Sequence, residues 1–428
     1  MAAKKSVGKK AREVAPLDAD AFHSRLMDWY RNAARKLPWR DTKDPYNIWV
    51  SEVMLQQTRV AAVIEHYNEF LRRFPTLVAL ALAEESAVLA AWSGLGYYRR
   101  ARMLHKAARF IVLERDGRLP TTTVELRTLP GIGDYTAAAI ASIAFGESVA
   151  VVDGNVERVI LRLTGRAESK EAVASTFVRE QAQMLMPRPH EEETSESGAG
   201  TAEERAKRGR ASRNWQATDR IALAASAHPA GRAGGDTALR EADNTAGDHN
   251  QAMMELGAVI CLPRSPLCGQ CPVFTTCRTQ GEHATRPRES QRSRPAAYLL
   301  DLRKRGTATE VLLELRAVEE ALMPAMFELP PLPMETVEGR EPILRVRHSI
   351  TNTNYYVQVF APQRWDGGPK TKREQAQTHP LRKAAKGSGR ELHWVRTSRL
   401  PGIPMTGLTR KILQRLRVME SPRMALLE

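Results

Sequence analysis

The sequence predicts a two-part protein, with an all-α domain followed by a smaller domain of mixed α and β structure. Apolar residues recur at helical spacing over most of the first 278 residues. One short loop with the spacing C-x6-C-x2-C-x5-C contains all four cysteines and follows the last of these helical patterns. After a polar, arginine-rich stretch, short segments rich in Val, Leu, Ile and Tyr replace the helical pattern.

The helical domain is expected over residues 18–278. Its first predicted helix begins after Asp18 and is closed by Pro38; the second opens at Pro45, and a third apolar stripe from Val60 ends before Pro75. Further helices are predicted over Glu84–Trp92, Arg99–Arg115, Tyr135–Phe145, Val156–Leu163, Glu171–Leu185 and Gln251–Ile260.

Four segments are expected to lie outside the packed cores. Residues 1–17 form a basic tail, and residues 190–249, rich in Ala, Gly, Glu and Arg, form a disordered insertion within the helical domain. Residues 279–296 form a linker, and residues 363–390 form a basic flexible loop.

The second domain is expected over residues 297–428. Its strands are predicted over Tyr298–Leu302, Val311–Leu315, Ile343–Arg347 and Tyr355–Phe360, and its helix over Thr409–Leu416.

The overall charge indicates a polyanionic partner. The chain has 428 residues, a formal net charge of +15 and a pI of about 9.9, which favours nucleic acid. No apolar run approaches the roughly 18 residues of a membrane span, and no apolar region follows the basic start as in a signal peptide. We therefore expect no membrane partner.

The cysteine loop predicts a metal centre. Cys261, Cys268, Cys271 and Cys277 are close enough in sequence to hold one iron–sulfur cluster or one zinc ion. Disulfides are disfavoured because they suit small secreted chains. The spacing favours a [4Fe–4S] cluster over zinc, the main rival, because zinc sites often use two C-x2-C pairs and this loop has one.

A glycine-containing turn between two predicted helices indicates a phosphate site. Pro130, Gly131, Ile132 and Gly133 would form it: Pro130 stops the first helix, the glycines permit a tight turn, and Ile132 plugs into the core. Its outward N–H groups could bind a DNA phosphate, although an ordinary helix–helix turn remains an alternative. About twenty residues after Gly133 comes Asp153, which by itself would be an ordinary helix N-cap.

In combination, this turn, the following aspartate and the cysteine loop resemble the endonuclease III superfamily of DNA glycosylases. The resemblance implies that Asp153 is catalytic and that the four cysteines hold a [4Fe–4S] cluster. Four stretches resemble the adenine DNA glycosylase (MutY) branch of that superfamily, namely Leu37–Arg40, Ser51–Thr58, Trp92–Arg102 and Asn250–Gly257.

The resemblance also implies a reaction. Tyr135 occupies the position where bifunctional members have a nucleophilic lysine, so hydrolysis by water with little lyase activity is expected. Glu52 would protonate N7 of adenine as a general acid, with a pKa raised by its enclosed site. Asp153 would stabilise the sugar cation by its charge or through a transient covalent bond. Tyr135 would support Asp153, and Asn155 would hydrogen-bond near the same centre.

The resemblance implies further roles in binding DNA. Gln57 and Tyr97 would wedge into the base stack while adenine is flipped out. Trp39, Arg40, Leu55 and Gln251 would line the adenine pocket, although several of these side chains could equally belong to the core.

The second domain resembles the MutT-like (Nudix-fold) domain that reads 8-oxoguanine in this family. Thr351 and Asn352 are the candidates for the lesion-reading loop, but Ile350-Thr351-Asn352 stands where the family often has Phe-Ser-His. No Nudix hydrolase box is visible, so pyrophosphatase activity is not expected.

The expected partner is double-stranded DNA containing an 8-oxoguanine:adenine or guanine:adenine mispair. The protein is expected to act as a monomer in the bacterial cytoplasm, associated with the nucleoid. Two alternatives are a bifunctional glycosylase and lyase acting on pyrimidine lesions, and a non-catalytic iron–sulfur DNA-binding protein.

Overall fold

A computed structural model describes residues 18–167, 172–187, 245–283, 291–320, 323–350, 352–362 and 390–419. These residues form two compact units. The first draws on Met1–Glu52 and Leu113–Pro287, and the second on Val53–Val112 and Arg288–Glu428. The predicted tail at 1–17, most of the predicted insertion and nearly all of the predicted loop at 363–390 lie outside the described residues.

The described part of residues 18–283 is helical. Its helices are α1 (Ala19–Ala33), α2 (Pro45–Leu55), α3 (Val60–Arg73), α4 (Leu77–Leu82), α5 (Glu85–Trp92), α6 (Arg99–Glu114), α7 (Thr123–Leu126), α8 (Asp134–Phe145), α9 (Gly154–Thr164), α10 (Ala172–Met184) and α11 (Thr245–Val259).

The helices that the sequence predicts are present, with ends shifted by a few residues, and two short ones were missed. Helices α4 and α7 are too short to show a periodic pattern, and in each a threonine cap begins the helix: Thr76 accepts from Ala79 N, and Thr122 accepts from Glu125 N. The predicted insertion at 190–249 extends too far, because Thr245 to His249 form the first turn of α11 and His249 is buried. The mixed Ala, Gly and Asp composition of that turn hides it.

The core of the first unit holds the elements that carry the predicted site. Buried side chains of α1, α9 and α11, including Phe22, Leu26, Ile160, Met253 and Leu256, form one apolar cluster. A second cluster joins α2 to α8 through Ile48, Ala139 and Ile143, with Tyr135 and Met254 at its edge. The packing therefore brings Glu52, Tyr135 and Asp153 to one region, although they are far apart in sequence.

In the second unit, residues 291–419 form strands around a small core. The elements are β1 (Arg292–Leu299), β2 (Leu302–Arg305), β3 (Ala308–Leu315), β4 (Phe327–Glu328), β5 (Pro331–Leu332), β6 (Leu344–Ile350), β7 (Thr353–Phe360), β8 (Glu391–Arg396) and α12 (Gly407–Arg415). One sheet has the order β5-β1-β7-β6, in which only β1 and β7 are parallel; in the other, β3 pairs with β2, β4 and β8. Val311, Val357 and Ile412 belong to the core that these sheets share with α12.

Two boundaries in this unit differ from the sequence prediction. The predicted linker at 279–296 is too long, because β1 begins at Arg292 and pairs with β7 from that residue onward. Strand β1 begins with Arg-Ser-Arg-Pro, and these first residues are exposed. Their polar character gives no strand signal in the sequence. Strand β8 was not predicted, since its alternating polar residues give a weak apolar signal.

Residues 53–112 and the C-terminal strands make direct contacts within the second unit. Both the Ser93 hydroxyl and the Tyr98 hydroxyl donate to the Met405 carbonyl, at 2.9 and 2.8 Å. The Arg410 Nε donates to Ser93 Oγ at 2.8 Å. The C-terminal part is therefore packed on residues 53–112, which the sequence assigned to another domain. Across the described residues, no helix combines the length and apolar character needed to cross a bilayer.

Candidate active site

Glu52 is a buried carboxylic acid on α2. Glu52 is 5% exposed to solvent. The Tyr135 hydroxyl on α8 donates to Glu52 Oε2 at 2.6 Å. Tyr135 also contacts the Met254 Sδ at 3.6 Å. The family resemblance implied that Tyr135 supports Asp153, whereas its hydroxyl donates to Glu52. Tyr135 and Glu52 are thereby joined across 83 positions of the sequence.

The environment of Glu52 favours its protonated form. Burial raises the pKa of Glu52 to about 7; the hydrogen bond from Tyr135 and the charge of Arg40 lower it, and the negative charge of Asp153 raises it. Burial also raises the pKa of Tyr135 well above its ordinary value, so the phenol remains a neutral donor. Glu52 can therefore hold a proton near neutral pH and release it to a bound group.

Asp153 lies at the N-terminus of α9, where it has two structural roles. Its Oδ1 accepts from Asn155 N and Val156 N at 2.9 and 2.7 Å, which caps the helix. Its Oδ2 accepts from Asn155 Nδ2 at 2.9 Å. The cap that the residues alone predicted is thus present, and it fixes the carboxylate at the end of a helix dipole that favours negative charge.

Asn250 and Arg158 hold the segment around Asp153 in place. The buried Asn250 side chain accepts from Val151 N at 2.9 Å and donates to Val149 O and Ser142 Oγ, so it ties the segment before Asp153 to α8 and α11. On the other side, Arg158 donates to Asn155 Oδ1, to Gly257 O and to Cys261 O. The position of Asp153 is consequently coupled to α11 and to the start of the cysteine loop.

Glu255 on α11 binds two arginines in an enclosed ion cluster. Arg35 donates to it through Nε and NH2 at 2.7 and 2.6 Å, and Arg40 NH2 donates at 2.8 Å. Burial pushes the pKa of Glu255 upward, but the hydrogen bonds from Arg35 and Arg40 outweigh burial and hold the pKa at about 2. Glu52 and Glu255 are therefore buried carboxyls with opposite protonation preferences.

A cavity of about 270 Å³ in the first unit contains two of the residues predicted to line the adenine pocket, Arg40 and Gln251. Tyr30 also lines it, donates to Gln251 Oε1 at 3.1 Å and lies 5.5 Å from the Arg40 guanidinium. Trp39 is buried and Leu55 is half-buried, and neither lines this cavity. The cavity is large enough for a planar heterocycle and offers both donors and acceptors.

The cysteine loop follows α11 directly. All four cysteines are half-buried, and none of them forms a disulfide. Burial raises the pKa of Cys271 to about 11, and the charges of Cys261, Cys277 and Cys268 raise it further, so the four sulfurs lie within electrostatic range. Arg162 NH1 donates to Cys261 Sγ at 3.3 Å, and Gln280 N donates to Cys277 Sγ at 3.4 Å. Backbone and arginine donors to thiolate sulfur are typical of iron–sulfur ligands.

Four cysteine sulfurs on one loop can hold either kind of metal centre. A single zinc ion would bind all four thiolates at about 2.3 Å from one centre. A [4Fe–4S] cluster would bind one thiolate at each iron.

The glycine-containing turn connects α7 to α8. Leu129 and Ile132 are buried, and Gly131 and Gly133 are exposed. Gly131 has φ of +76°, which requires glycine, whereas Gly133 caps α8 with a φ of −95° that any residue can adopt. Arg127 forms an ion pair with Asp134 at 2.8 Å, which offsets the negative charge beside the turn. The start of α8 has no side-chain cap.

The two predicted wedge residues lie in the second unit and share an unusual backbone conformation. Gln57 has φ of +57° and Tyr97 has φ of +50°, both in the left-handed region that non-glycine residues rarely adopt. Both side chains are exposed, with Tyr97 at 46%. An exposed aromatic residue held in a strained turn is typical of a functional surface.

One of the two candidates for the lesion-reading loop can be located. Asn352 is exposed in the turn between β6 and β7, where its carbonyl accepts from Arg292 N at 3.0 Å. Thr351 lies outside the described residues.

The sequence predicted no individual role for Glu255, Asn250, Arg158 or Arg100. A signal existed for Glu255, which is four residues after Gln251 and so shares its helical face. Arg158 is likewise one turn after Asn155. Their partners come from distant segments, so a single sequence gave no reason to prefer them to other arginines or glutamates.

Sequence comparison defines the class first. Residues 50–181 match the profile of the HhH-GPD superfamily base excision DNA repair proteins. The segment contains Glu52, Tyr135 and Asp153 together with the helix–turn–helix around Gly131.

The comparison also gives the particular family. The adenine DNA glycosylase of Mycolicibacterium smegmatis is 36% identical over 254 residues, covering 59% of this chain and 67% of that protein. The human adenine DNA glycosylase is 40% identical over 278 residues, covering 63% of this chain but 41% of that longer protein. This chain belongs to the adenine DNA glycosylase family, although it aligns with less than half of the mammalian relatives. A thermostable thymine-DNA glycosylase structure aligns with a TM-score of 0.45 at 25% identity, covering 61% of this chain and 96% of that one.

Proposed function

We propose that this protein is a monofunctional adenine DNA glycosylase of base excision repair. It would flip out an adenine mispaired with 8-oxoguanine or guanine in double-stranded DNA and hydrolyse its bond to the sugar. The observation that carries the proposal is the buried Glu52 carboxyl, whose pKa is raised to about 7 and which lies in electrostatic contact with Asp153. Family membership supports the same reaction.

The proton would come from Glu52. Tyr135 donates to Oε2 of Glu52, which orients the carboxyl group and leaves the other oxygen to carry the proton. Transfer of that proton to N7 makes adenine a better leaving group, and the electron pair of the glycosidic bond departs with the base. The Tyr135 phenol cannot form a Schiff base with the sugar, so no covalent route to strand cleavage follows.

Asp153 would stabilise the sugar cation that bond cleavage produces. Its carboxylate is fixed by three N–H donors from Asn155 and Val156, so it needs little reorganisation as positive charge develops. Water then adds to the anomeric carbon and loses a proton, which leaves an abasic site. One protonated and one ionised carboxyl in separate roles is the arrangement that glycosidases use.

The base would be recognised from α1, from α11 and from the segment that connects α1 to α2. Arg40 and Gln251 line the 270 Å³ cavity, and their guanidinium and amide groups supply both donors and acceptors for a purine edge. Glu255 would act as a positioning residue, because its bonds to Arg35 and Arg40 fix the direction of the Arg40 side chain. Trp39 and Leu55, which the resemblance also assigns to the adenine pocket, do not line this cavity.

The four cysteines would hold a [4Fe–4S] cluster. Bound there, it would fix the fold of the loop after α11 and could transfer single electrons. Arg162 and Gln280 would donate to the ligating sulfurs, and Arg158 would tie the Cys261 carbonyl to Asn155. Exposed Arg264 and Arg278 would contact DNA phosphates from the same loop.

The remaining DNA contacts would come from three places. The turn from Pro130 to Gly133 would bind a phosphate at the start of α8. Gln57 and Tyr97 would enter the base stack. The C-terminal part, which resembles a Nudix fold in sequence, would read 8-oxoguanine through the turn containing Thr351 and Asn352. The proposed site of action is the bacterial nucleoid.

A single assay tests the proposal against its rivals. Duplexes carrying 8-oxoguanine:adenine, guanine:adenine or thymine glycol are incubated with the protein and analysed before and after alkali. We expect adenine release from the first two, with strand breaks only after alkali. Breaks without alkali, or activity on thymine glycol alone, would indicate the bifunctional enzyme, and binding without base release would indicate a non-catalytic protein.

A further inference from the structure

The Arg100 guanidinium lies between the two turns that present Gln57 and Tyr97. NH1 donates to the carbonyls of Val53, Met54 and Gln56 at 2.7, 3.0 and 2.5 Å. The first two acceptors are carbonyls of the last turn of α2, which have no partner within a helix. Arg100 therefore closes the C-terminus of α2 and fixes the residue immediately before Gln57.

The second terminal nitrogen of the same guanidinium connects Arg100 to the turn that presents Tyr97 and to Thr58. NH2 donates to Thr58 Oγ1 at 3.1 Å and to the Gly96 carbonyl at 3.3 Å. Gln57 is thus bracketed by bonds to Gln56 and Thr58, and Tyr97 directly follows a bonded carbonyl. The guanidinium also lies 5.5 Å from the ring centres of both Trp92 and Tyr97.

The two turns need such support because each holds a non-glycine residue in the left-handed region. That conformation is unfavourable for a residue with a side chain and persists only where surrounding contacts impose it. Arg100 supplies those contacts to both turns at once. A lysine could not replace it, because one ammonium cannot span two turns as a planar fork does.

We propose that Arg100 is a positioning residue that holds Gln57 and Tyr97 as one preformed wedge, so that both side chains enter the base stack together. The inference rests on the proposed wedge role of these two residues. The contacts that assign this role to Arg100 are made with the two turns alone. Its effect on excision is exerted through the two turns that it joins.

The test combines excision with a direct measure of unstacking. A duplex carries 2-aminopurine beside the mispaired adenine, and its fluorescence rises when the neighbouring stack opens. We expect Arg100→Lys to abolish most of this rise and to slow single-turnover excision by about 10²-fold, as displaced positioning groups do. Arg109→Lys, an exposed arginine on the same helix, should match the unaltered protein.

A double-mutant cycle separates positioning from general damage. In the background Gln57→Ala/Tyr97→Ala, we expect Arg100→Lys to slow excision by less than about threefold, because its effect is already lost. An equal loss in both backgrounds, or full fluorescence in Arg100→Lys, would overturn the inference while leaving the wedge in place. Unchanged fluorescence and excision in Gln57→Ala/Tyr97→Ala would instead overturn the wedge role, and this inference with it.

A milder variant keeps the test decisive if Arg100→Lys does not fold. Thr58→Val keeps the shape of the side chain but removes the hydroxyl that accepts from Arg100 NH2. We expect a smaller loss of the 2-aminopurine signal at unchanged melting temperature. A normal signal would overturn the inference.

Discussion

The Tyr135 hydroxyl donates to Glu52 Oε2 at 2.6 Å inside the first unit of the protein. The bond links α8, which follows the proposed phosphate-binding turn, to α2, which carries the proposed acid. By resemblance to bifunctional members of the superfamily, Tyr135 stands where they have a nucleophilic lysine, so the proposed reaction contains no Schiff-base step at this residue.

The raised pKa of Glu52 predicts how excision depends on pH. Only the protonated acid can donate to adenine, and burial places its pKa at about 7. We expect kcat/KM to be high at pH 6 and to fall about tenfold for each pH unit well above 7. Glu52→Gln should bind the mispair yet release no adenine, because an amide cannot deliver the proton. A flat pH profile between 6 and 9 would remove Glu52 from the role of general acid.

The same pKa predicts a pH-dependent stability. Because the folded-state pKa lies above the ordinary carboxyl value of 4.5, the folded protein binds more protons than the unfolded chain between pH 4.5 and 7. The contribution is favourable below pH 4.5 and is lost as pH rises through 7. We expect Glu52→Gln to be more stable than the unaltered protein at pH 8, by up to about 3 kcal/mol, and equally stable at pH 4.5. Chemical denaturation at the two pH values measures the difference.

A single substitution separates the charge of Asp153 from its role as the N-cap of α9. Asp153→Asn can still cap α9 through its side-chain oxygen, but it loses the negative charge opposite the sugar cation. We expect excision to fall by about 10²-fold or more while the melting temperature changes little. Asp18→Asn is the matched control, because Asp18 caps α1 in the same way through Asp20 N and Ala21 N. Equal activity of the two variants would reduce Asp153 to a cap.

Gly257 on α11 gives a test of the contact between α11 and the Asp153 segment. A Cβ at this position would lie 2.6 Å from Asn155 Cβ and 2.9 Å from Asn155 O, too close for either to stay in place. We expect Gly257→Ala to displace Asn155, weaken its bond to Asp153 Oδ2 and slow excision by at least tenfold. Gly402→Ala has no atom within 4 Å of the added carbon and should behave normally. Normal excision by Gly257→Ala would show that the reaction tolerates displacement of Asn155.

Features set by neighbouring residues can be predicted from this sequence, whereas features set by contacts between distant segments cannot. The helices follow from local signals such as the Asp18 cap and the apolar stripe of α1, so their prediction is confirmed within a few residues. Contacts between distant segments do not follow. The sequence gives no indication that Tyr135 bonds Glu52 rather than Asp153, that Glu255 binds two arginines, or that Met405 accepts from Ser93 and Tyr98. The motifs indicate candidate residues, and only packing determines their partners.

The cysteine loop predicts a measurable iron content. Protein purified without oxygen should be yellow-brown and contain about four irons per chain if the thiolates hold a [4Fe–4S] cluster. Cys268→Ser should lose iron and DNA affinity together. Arg158→Lys is the matched control. It should retain iron but lose the pair of hydrogen bonds by which Arg158 joins Cys261 O to Asn155 Oδ1. One tightly bound zinc without iron would contradict the cluster.

The start of α11 predicts where the long segment before it can be removed. The composition of residues 190–244 predicts that they contribute little to the core, and replacing them with a Gly/Ser linker of about ten residues should leave the melting temperature and excision nearly unchanged.

Extending the deletion to 249 should be far more damaging, because it removes the first turn of α11. That turn contains the buried His249, whose Nδ1 lies 2.9 Å from His23 Nδ1, and Asp248, which pairs with Lys43 at 3.6 Å. It also leads directly into Asn250, which anchors the segment before Asp153 through Val151 N. Thermal melting and single-turnover excision of the two deletions distinguish these outcomes. Equal loss in both would mean that residues 190–244 are themselves part of the folded core.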